Sequence, residues 1–128
     1  MSLKTLYLNY SGVRDVDLSR LVNLPALEEL NLDSCPIGDW AIAHLADNHV
    51  TPNLTSLGLA DTDLTDRGMP HIAKFTKLTR LNLFYCHISN FGLRNLAKLE
   101  NLEVLNLDSR DVSNPTFVLM SFIFFNLN

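Results

Sequence analysis

A chain of 128 residues, 47% hydrophobic and 19% charged, has the balance of a folded globular protein rather than a disordered one. Its net charge of −4 comes without the clustered lysine and arginine of a nucleic-acid footprint. No run reaches the roughly 18 apolar residues of a membrane-spanning helix. Met1-Ser2-Leu3-Lys4 shows no basic-then-apolar export segment, so an intracellular setting, cytoplasmic or nuclear, is expected.

From Leu3 onward the chain repeats itself. The unit Leu-x-x-Leu-x-Leu occurs at Leu3/Leu6/Leu8, Leu27/Leu30/Leu32, Leu54/Leu57/Leu59, Leu78/Leu81/Leu83 and Leu102/Leu105/Leu107, with starts 24, 27, 24 and 24 residues apart. A fixed phase of this length is the mark of a repeat architecture. With the first leucine as position one, position eleven is apolar in every unit (Val13, Ile37, Leu64, Ile88, Val112). Position thirteen is Asp15, Asp39, Asp66, Asn90 and Asn114. Position sixteen is Leu18, Ile42, Met69, Leu93 and Phe117, and position nineteen is Leu21, Leu45, Ile72, Leu96 and Met120.

Each unit then predicts the same elements in order. Leu-x-Leu alternates with period two, which is a strand with one buried face. Positions sixteen and nineteen are three apart, the spacing of a helix stripe. Asp or Asn at position thirteen stands just ahead of that stripe, where an N-cap is wanted. The second unit carries its extra residues around Asn48-His49-Val50-Thr51-Pro52, which marks a loop between helix and next strand. Successive strands must run parallel, joined by the helices. One unit cannot bury its apolar face alone; stacked units form a continuous core. Residues 1–113 are expected to form this array and residues 114–128 an atypical hydrophobic, helical tail opened by Asn114-Pro115. Phe117-Val-Leu-Met-Ser-Phe-Ile-Phe-Phe125 is apolar nearly all round. It reads either as a hydrophobic cap or peripheral membrane anchor, or as sequence foreign to the array from an alternative or truncated end; the abrupt change of composition favours the second.

The segment Leu78-Thr-Arg-Leu-Asn-Leu-Phe-Tyr-Cys-His-Ile-Ser-Asn-Phe-Gly-Leu-Arg-Asn-Leu-Ala97, and Leu30-Asn-Leu-Asp-Ser-Cys-Pro-Ile-Gly-Asp39 with it, resembles the cysteine-containing, ribonuclease-inhibitor-like class of leucine-rich repeat. Such repeats are common in F-box and plant intracellular repeat proteins. The resemblance implies an α/β solenoid of about five right-handed repeats, with a parallel sheet on the concave side and short helices on the convex side. It also implies protein binding, with substrate recognition in a ubiquitin-ligase or signalling complex as one expectation.

Several groups invite a chemical role and are weighed against a plainer one. Cys35 and Cys86, both at position nine, lie two repeats apart, roughly 10 Å at strand spacing. That exceeds the Cα separation of about 7 Å that a disulfide allows. They are expected as buried thiols hydrogen-bonding the turn backbone at the strand end, a role Ser11 and Thr62 can share. His44 and His71 share position eighteen without the further ligands zinc needs, and are expected on the exposed helix surface. His49 lies in the insertion loop and His87 in a turn. Asp15, Asp39 and Asp66 form a ladder that capping explains without acid–base catalysis. No phosphate loop, nucleophile elbow or metal-ligand spacing is present, so no enzyme, cofactor or small-molecule substrate is expected.

The candidate surface is the concave sheet face, at positions three, five, seven and eight. Phe84 and Tyr85 stand out as aromatic groups on an otherwise polar face, and Arg80 adds a bidentate donor. Asn82, Asn31, Asp33 and Asp108 complete the row set, with Tyr7 and Tyr10 in the first repeat. The expected function is protein recognition on this face, without nucleic acid and without a membrane. The alternative is a fragment of a longer repeat protein without independent function.

Overall fold

The computed structural model describes residues 2–107. Asp108, the tail 114–128 and the fifth-repeat columns beyond Leu107 lie outside the described residues. Within them, strand and helix alternate. β1 (Thr5–Tyr7) leads to α1 (Asp15–Leu18), β2 (Glu29–Asn31) to α2 (Asp39–Asp47), and β3 (Ser56–Gly58) to a 3₁₀ turn (Asp66–Gly68) continued by α3 (Met69–Ile72). Then β4 (Arg80–Leu83) leads to α4 (Asn90–Leu93), continued by a 3₁₀ stretch (Arg94–Lys98), before β5 (Val104–Leu107).

The five strands form one sheet in the order β1-β2-β3-β4-β5, and every pair is parallel. The register has no offset between repeats: Leu6 pairs Leu30, Leu30 pairs Leu57, Leu57 pairs Leu81 and Leu81 pairs Leu105. Because strand side chains alternate between faces, the whole leucine column points to one side, where the helices pack. Leu30, Leu57 and Leu81 are buried there with Leu27, Leu54 and Leu78 from position one and Ile42, Met69 and Leu93 from the helices. Leu6, Leu8, Leu105 and Leu107, on the first and last described strands, are only partly buried.

A further column, Leu24, Val50, Phe75 and Leu99, returns the chain from helix to strand, with all but Leu24 fully buried. In the longer second unit, expected there as a loop, the chain does turn, yet Val50 still reaches the core and Thr51 is buried with it. His49 takes a left-handed φ of 51° just before.

The capping role falls one residue earlier than the sequence pattern indicates. The helices begin at position thirteen itself, and the caps are Arg14, Gly38, Thr65 and Ser89 at position twelve. Thr65 and Ser89 accept from the amides of Arg67 and Phe91 in the usual N-cap manner. The position-thirteen carboxylates instead reach across to the next repeat. Asp15 accepts from the Gly38 amide at 2.9 Å, Asp39 from the Thr65 amide at 2.8 Å and Asp66 from the Ser89 amide at 2.8 Å. Asp39 and Asp66 also accept from the hydroxyls of Thr65 and Ser89. The close approach leaves no room for a side chain at Gly68, where an added Cβ would stand 2.6 Å from the Asp39 carboxylate and 2.4 Å from Leu64. Each acid thus satisfies the cap backbone of its neighbour, which an acid at the cap itself would not do.

Two substitutions probe the stack. Leu57→Ala removes a core side chain with a neighbour on each side and is expected to cost about 2–5 kcal/mol in urea unfolding. Asp39→Ala orphans the Thr65 amide and is expected to cost about 1–3 kcal/mol, with Asp39→Asn closer to wild type because one acceptor survives.

Candidate functional site

β1 to β4 each lead into the same left-handed step at position eight. Tyr10, Ser34, Asp61 and Tyr85 have φ of 60°, 56°, 53° and 59°, all without glycine. Bulky residues in this region carry roughly 1–2 kcal/mol of strain. The parallel ladder holds them there, because their amides still donate to the next repeat: Tyr10 to the Asp33 carbonyl, Ser34 to Ala60 and Asp61 to Phe84, at 2.8–2.9 Å. Rows seven and eight are therefore as well registered as the strands. The step lifts the aromatic residues onto the rim of the sheet. Phe84 is 41% exposed and Tyr85 49%, their rings meeting edge to face with centroids 4.3 Å apart.

The structure divides the candidate residues between two depressions. Tyr10, Asp33, Phe84 and Tyr85 line a groove of about 790 Å³ at the carboxyl end of the strands, together with Ser34, Ala60, Asp61, Asn82 and Asn106. Arg80, Tyr7 and Asn31 line a smaller notch of about 250 Å³ over the sheet centre, with Glu29 and Gly58. Asp33, Asn82 and Asn106 border both. Arg80 is thus not beside the aromatic pair: positions three and seven of one strand lie roughly 13 Å apart. Tyr7 donates its hydroxyl to Glu29 at 2.6 Å, and that bond holds the phenol above its usual pKa. Asp108 falls outside the described residues.

The notch exists because Gly58 interrupts the asparagine row. Asn31 and Asn82 each accept from the amide two residues on, Asp33 and Phe84, which commits their side-chain oxygens to the backbone. At Gly58 no such side chain is present for the Ala60 amide. Asp33 of the neighbouring repeat supplies the acceptor instead, at 2.8 Å. A Cβ at Gly58 would stand 2.8 Å from that carboxylate and 2.9 Å from the Asn31 oxygen. Burial pushes the Asp33 carboxyl above its ordinary pKa, and the Ala60 bond partly offsets the shift. Gly58, Ala60, Asp61 and Asn106 stand at the face positions five, seven and eight that the sequence marks, but residue type alone did not single them out as site residues. The available signal was the lone glycine in a strand column otherwise rich in asparagine.

Elsewhere the polar columns tie repeats together. Ser11 and Thr62 donate to their own strand-end carbonyls, Leu8 and Leu59, and the next repeat's Cys35 and Cys86 donate to the same oxygens at 3.0 and 2.9 Å. Both thiols are buried and unpaired by any disulfide. Burial raises the pKa of Cys86, the opposite of an activated nucleophile. His44 and His71 are half-buried rather than exposed, because each reaches back one repeat: His44 to the Leu21 carbonyl and His71 to Asp47, both at 3.0 Å. Lys74 joins Asp47 there, and the two bonds lower the carboxyl's pKa. Among the described residues no group of three or more His, Cys, Asp or Glu is placed to hold a metal ion. No helix among them is long and apolar enough to cross a membrane.

A parallel sheet in zero-offset register, with each of its first four strands followed by a short helix, defines a solenoid of stacked repeats. The chain is a leucine-rich repeat protein: the family model described as Leucine Rich repeat matches residues 23–39, 50–73 and 76–97. The chain is similar to Toll-like receptor 2 type-2 of Gallus gallus, 33% identical over 101 residues, which is 77% of this chain and 13% of the receptor. An internalin from Listeria monocytogenes superposes with a TM-score of 0.56 at 25% identity, over 83% of this chain and 35% of that one. The second actin-binding site of leiomodin-1 superposes with a TM-score of 0.79, over 97% of this chain and 80% of that one; at 16% identity this likeness is one of fold alone.

The exchange of acceptors around Gly58 is open to test. Asp33→Ala leaves the Ala60 amide without its partner and is expected to cost about 1–3 kcal/mol in urea unfolding. Asp33→Asn keeps the acceptor and removes the half-buried charge. Because the Asp33 pKa is raised in the fold, its ionised form weakens stability as pH rises through that pKa. Asp33→Asn should therefore be at least as stable as wild type at pH 7, and the difference should vanish in acid.

Proposed function

We propose that this is a protein-recognition module that captures a partner on the concave sheet face and catalyses nothing. The observation that carries the proposal is the groove at the carboxyl end of the strands, where Phe84 and Tyr85 stand exposed on a rigid, laddered backbone. Aromatic groups held in place lose little entropy on binding and are over-represented among residues that dominate interfaces. Asn82 and Tyr10 in the groove, and Asn31 in the adjoining notch, extend the same surface. Arg80 and Tyr7 belong to it through the central notch, as a second contact area.

Two finer assignments follow from the resemblance in the sequence. Cys35 and Cys86 at position nine support the cysteine-containing, ribonuclease-inhibitor-like class, with substrate selection in a ubiquitin-ligase or signalling complex as the setting. Two unpaired buried thiols suit a reducing, intracellular compartment. A second reading, a truncated or alternative-ended fragment of a longer leucine-rich repeat protein without independent function, is favoured by the abrupt change of composition in the Phe-rich segment 117–125.

Capture of partners by the wild-type chain against Phe84→Ala/Tyr85→Ala tests the proposal. Loss of both rings is expected to weaken the specific complex by roughly tenfold or more, while Trp40→Ala, on the helix side, leaves it unchanged. Equal capture by wild type and the double variant would show that another surface binds.

A further inference from the structure

The groove has a finer chemistry at its middle. In row seven Asp33, Ala60 and Phe84 stand on three adjacent repeats, in the register fixed by the Ser34-to-Ala60 and Asp61-to-Phe84 amide bonds. At strand spacing Asp33 and Phe84 are roughly 10 Å apart, with only the Ala60 methyl between them. The result is a hole with a carboxylate on one wall and a phenyl ring on the other. Row eight adds a second carboxylate: Asp61 accepts from the Ser34 hydroxyl at 3.1 Å and borders the same groove. The Tyr85 ring braces Phe84 edge-on. Asp33 is half-buried, its carboxylate accepts from the Ala60 amide, and no salt bridge reaches it among the described residues. Arg80 sits at the other end of its strand, over the notch.

A carboxylate facing an aromatic ring at this separation fits a flat cation. A guanidinium can lay one face within about 6 Å of a ring centroid and fork its edge onto a carboxylate at about 2.8 Å. An ammonium, compact and strongly hydrated, can meet only one of these walls at a time. Asn31 and Asn82 line the depressions with their oxygens already committed to the backbone, so what they offer a partner is N–H donors for backbone carbonyls, which suits a cation carried on a polypeptide rather than a free small molecule. We propose that the hole over Ala60 is an arginine-reading subsite, which takes the guanidinium of one arginine on an extended segment of the protein partner. The proposal rests on the concave face being the binding surface and names the partner chemistry that face selects.

The full 128-residue chain, labelled with nitrogen-15, is titrated with acetyl-arginine methylamide and with its uncharged citrulline counterpart. The expected result is saturable shifts centred on the Ala60, Asp61, Phe84 and Tyr85 amides with the arginine compound and none with citrulline. Asp33→Asn, which keeps the bond to Ala60, should weaken the arginine response roughly fivefold, and Phe84→Leu should do the same through loss of the ring. Absent shifts, shifts centred elsewhere, or equal responses from wild type and Asp33→Asn overturn the subsite. Partner capture separates the two levels. A complex lost in Phe84→Ala/Tyr85→Ala but indifferent to Asp33→Asn/Asp61→Asn removes the arginine and leaves the surface; one indifferent to both removes the surface itself.

Discussion

The alignment of Leu6, Leu30, Leu57, Leu81 and Leu105 across five parallel strands is the constraint on which the rest depends. Burying a leucine side chain is worth about 1.5–3 kcal/mol, but no single unit here has a partner surface of its own. The leucines of one repeat are covered by those of the next, so the favourable term arises only at the junction. A slip of one residue would turn every leucine to the solvent face. The zero offset is therefore strongly enforced, and it brings position seven beside position seven and position thirteen beside position twelve all along the stack.

The polar columns exploit that fixed offset. A carboxylate at the start of one helix accepts from the cap amide of the next, a thiol shares the carbonyl already held by the hydroxyl before it, and a histidine reaches the preceding repeat. Each bond is worth little net, about 1 kcal/mol, but an unmet buried partner costs more. Their common feature is that they join neighbours only. Stability in such an array sums over repeats and junctions, and the polar ties strengthen the junction term without adding to any repeat alone.

The open sheet face takes no part in burying the leucine column, which leaves it free to carry specificity. Its shape still follows from the ladder. Position eight is forced into a left-handed conformation by the turn out of the strand, and the chain accepts the strain even at Tyr10 and Tyr85. Gly58 opens a notch in the asparagine row, and Asp33 leans across to cover the amide exposed there. That lean draws a carboxylate toward the aromatic end of the face. A backbone requirement thereby sets the electrostatics of the groove.

Much of the fold was legible in the sequence, because a repeat period states directly which residues share a face. The five strands, the buried leucine column, the separate buried cysteines and the exposure of Phe84 and Tyr85 all follow from position within a unit of about two dozen residues. The period does not say which atom meets which across a junction. Position thirteen resembles an N-cap by residue type, yet its carboxylates serve the neighbouring cap. Arg80 and Phe84 share a strand, yet the extended backbone separates them. Asp33 and Ala60 show no relation in sequence, and only the absence of a side chain at Gly58 joins them. Residue type and spacing fixed the repeat because burial of apolar surface is non-directional and tolerant. The site was decided by the tertiary structure because hydrogen bonds are directional and short, and their partners come from different repeats.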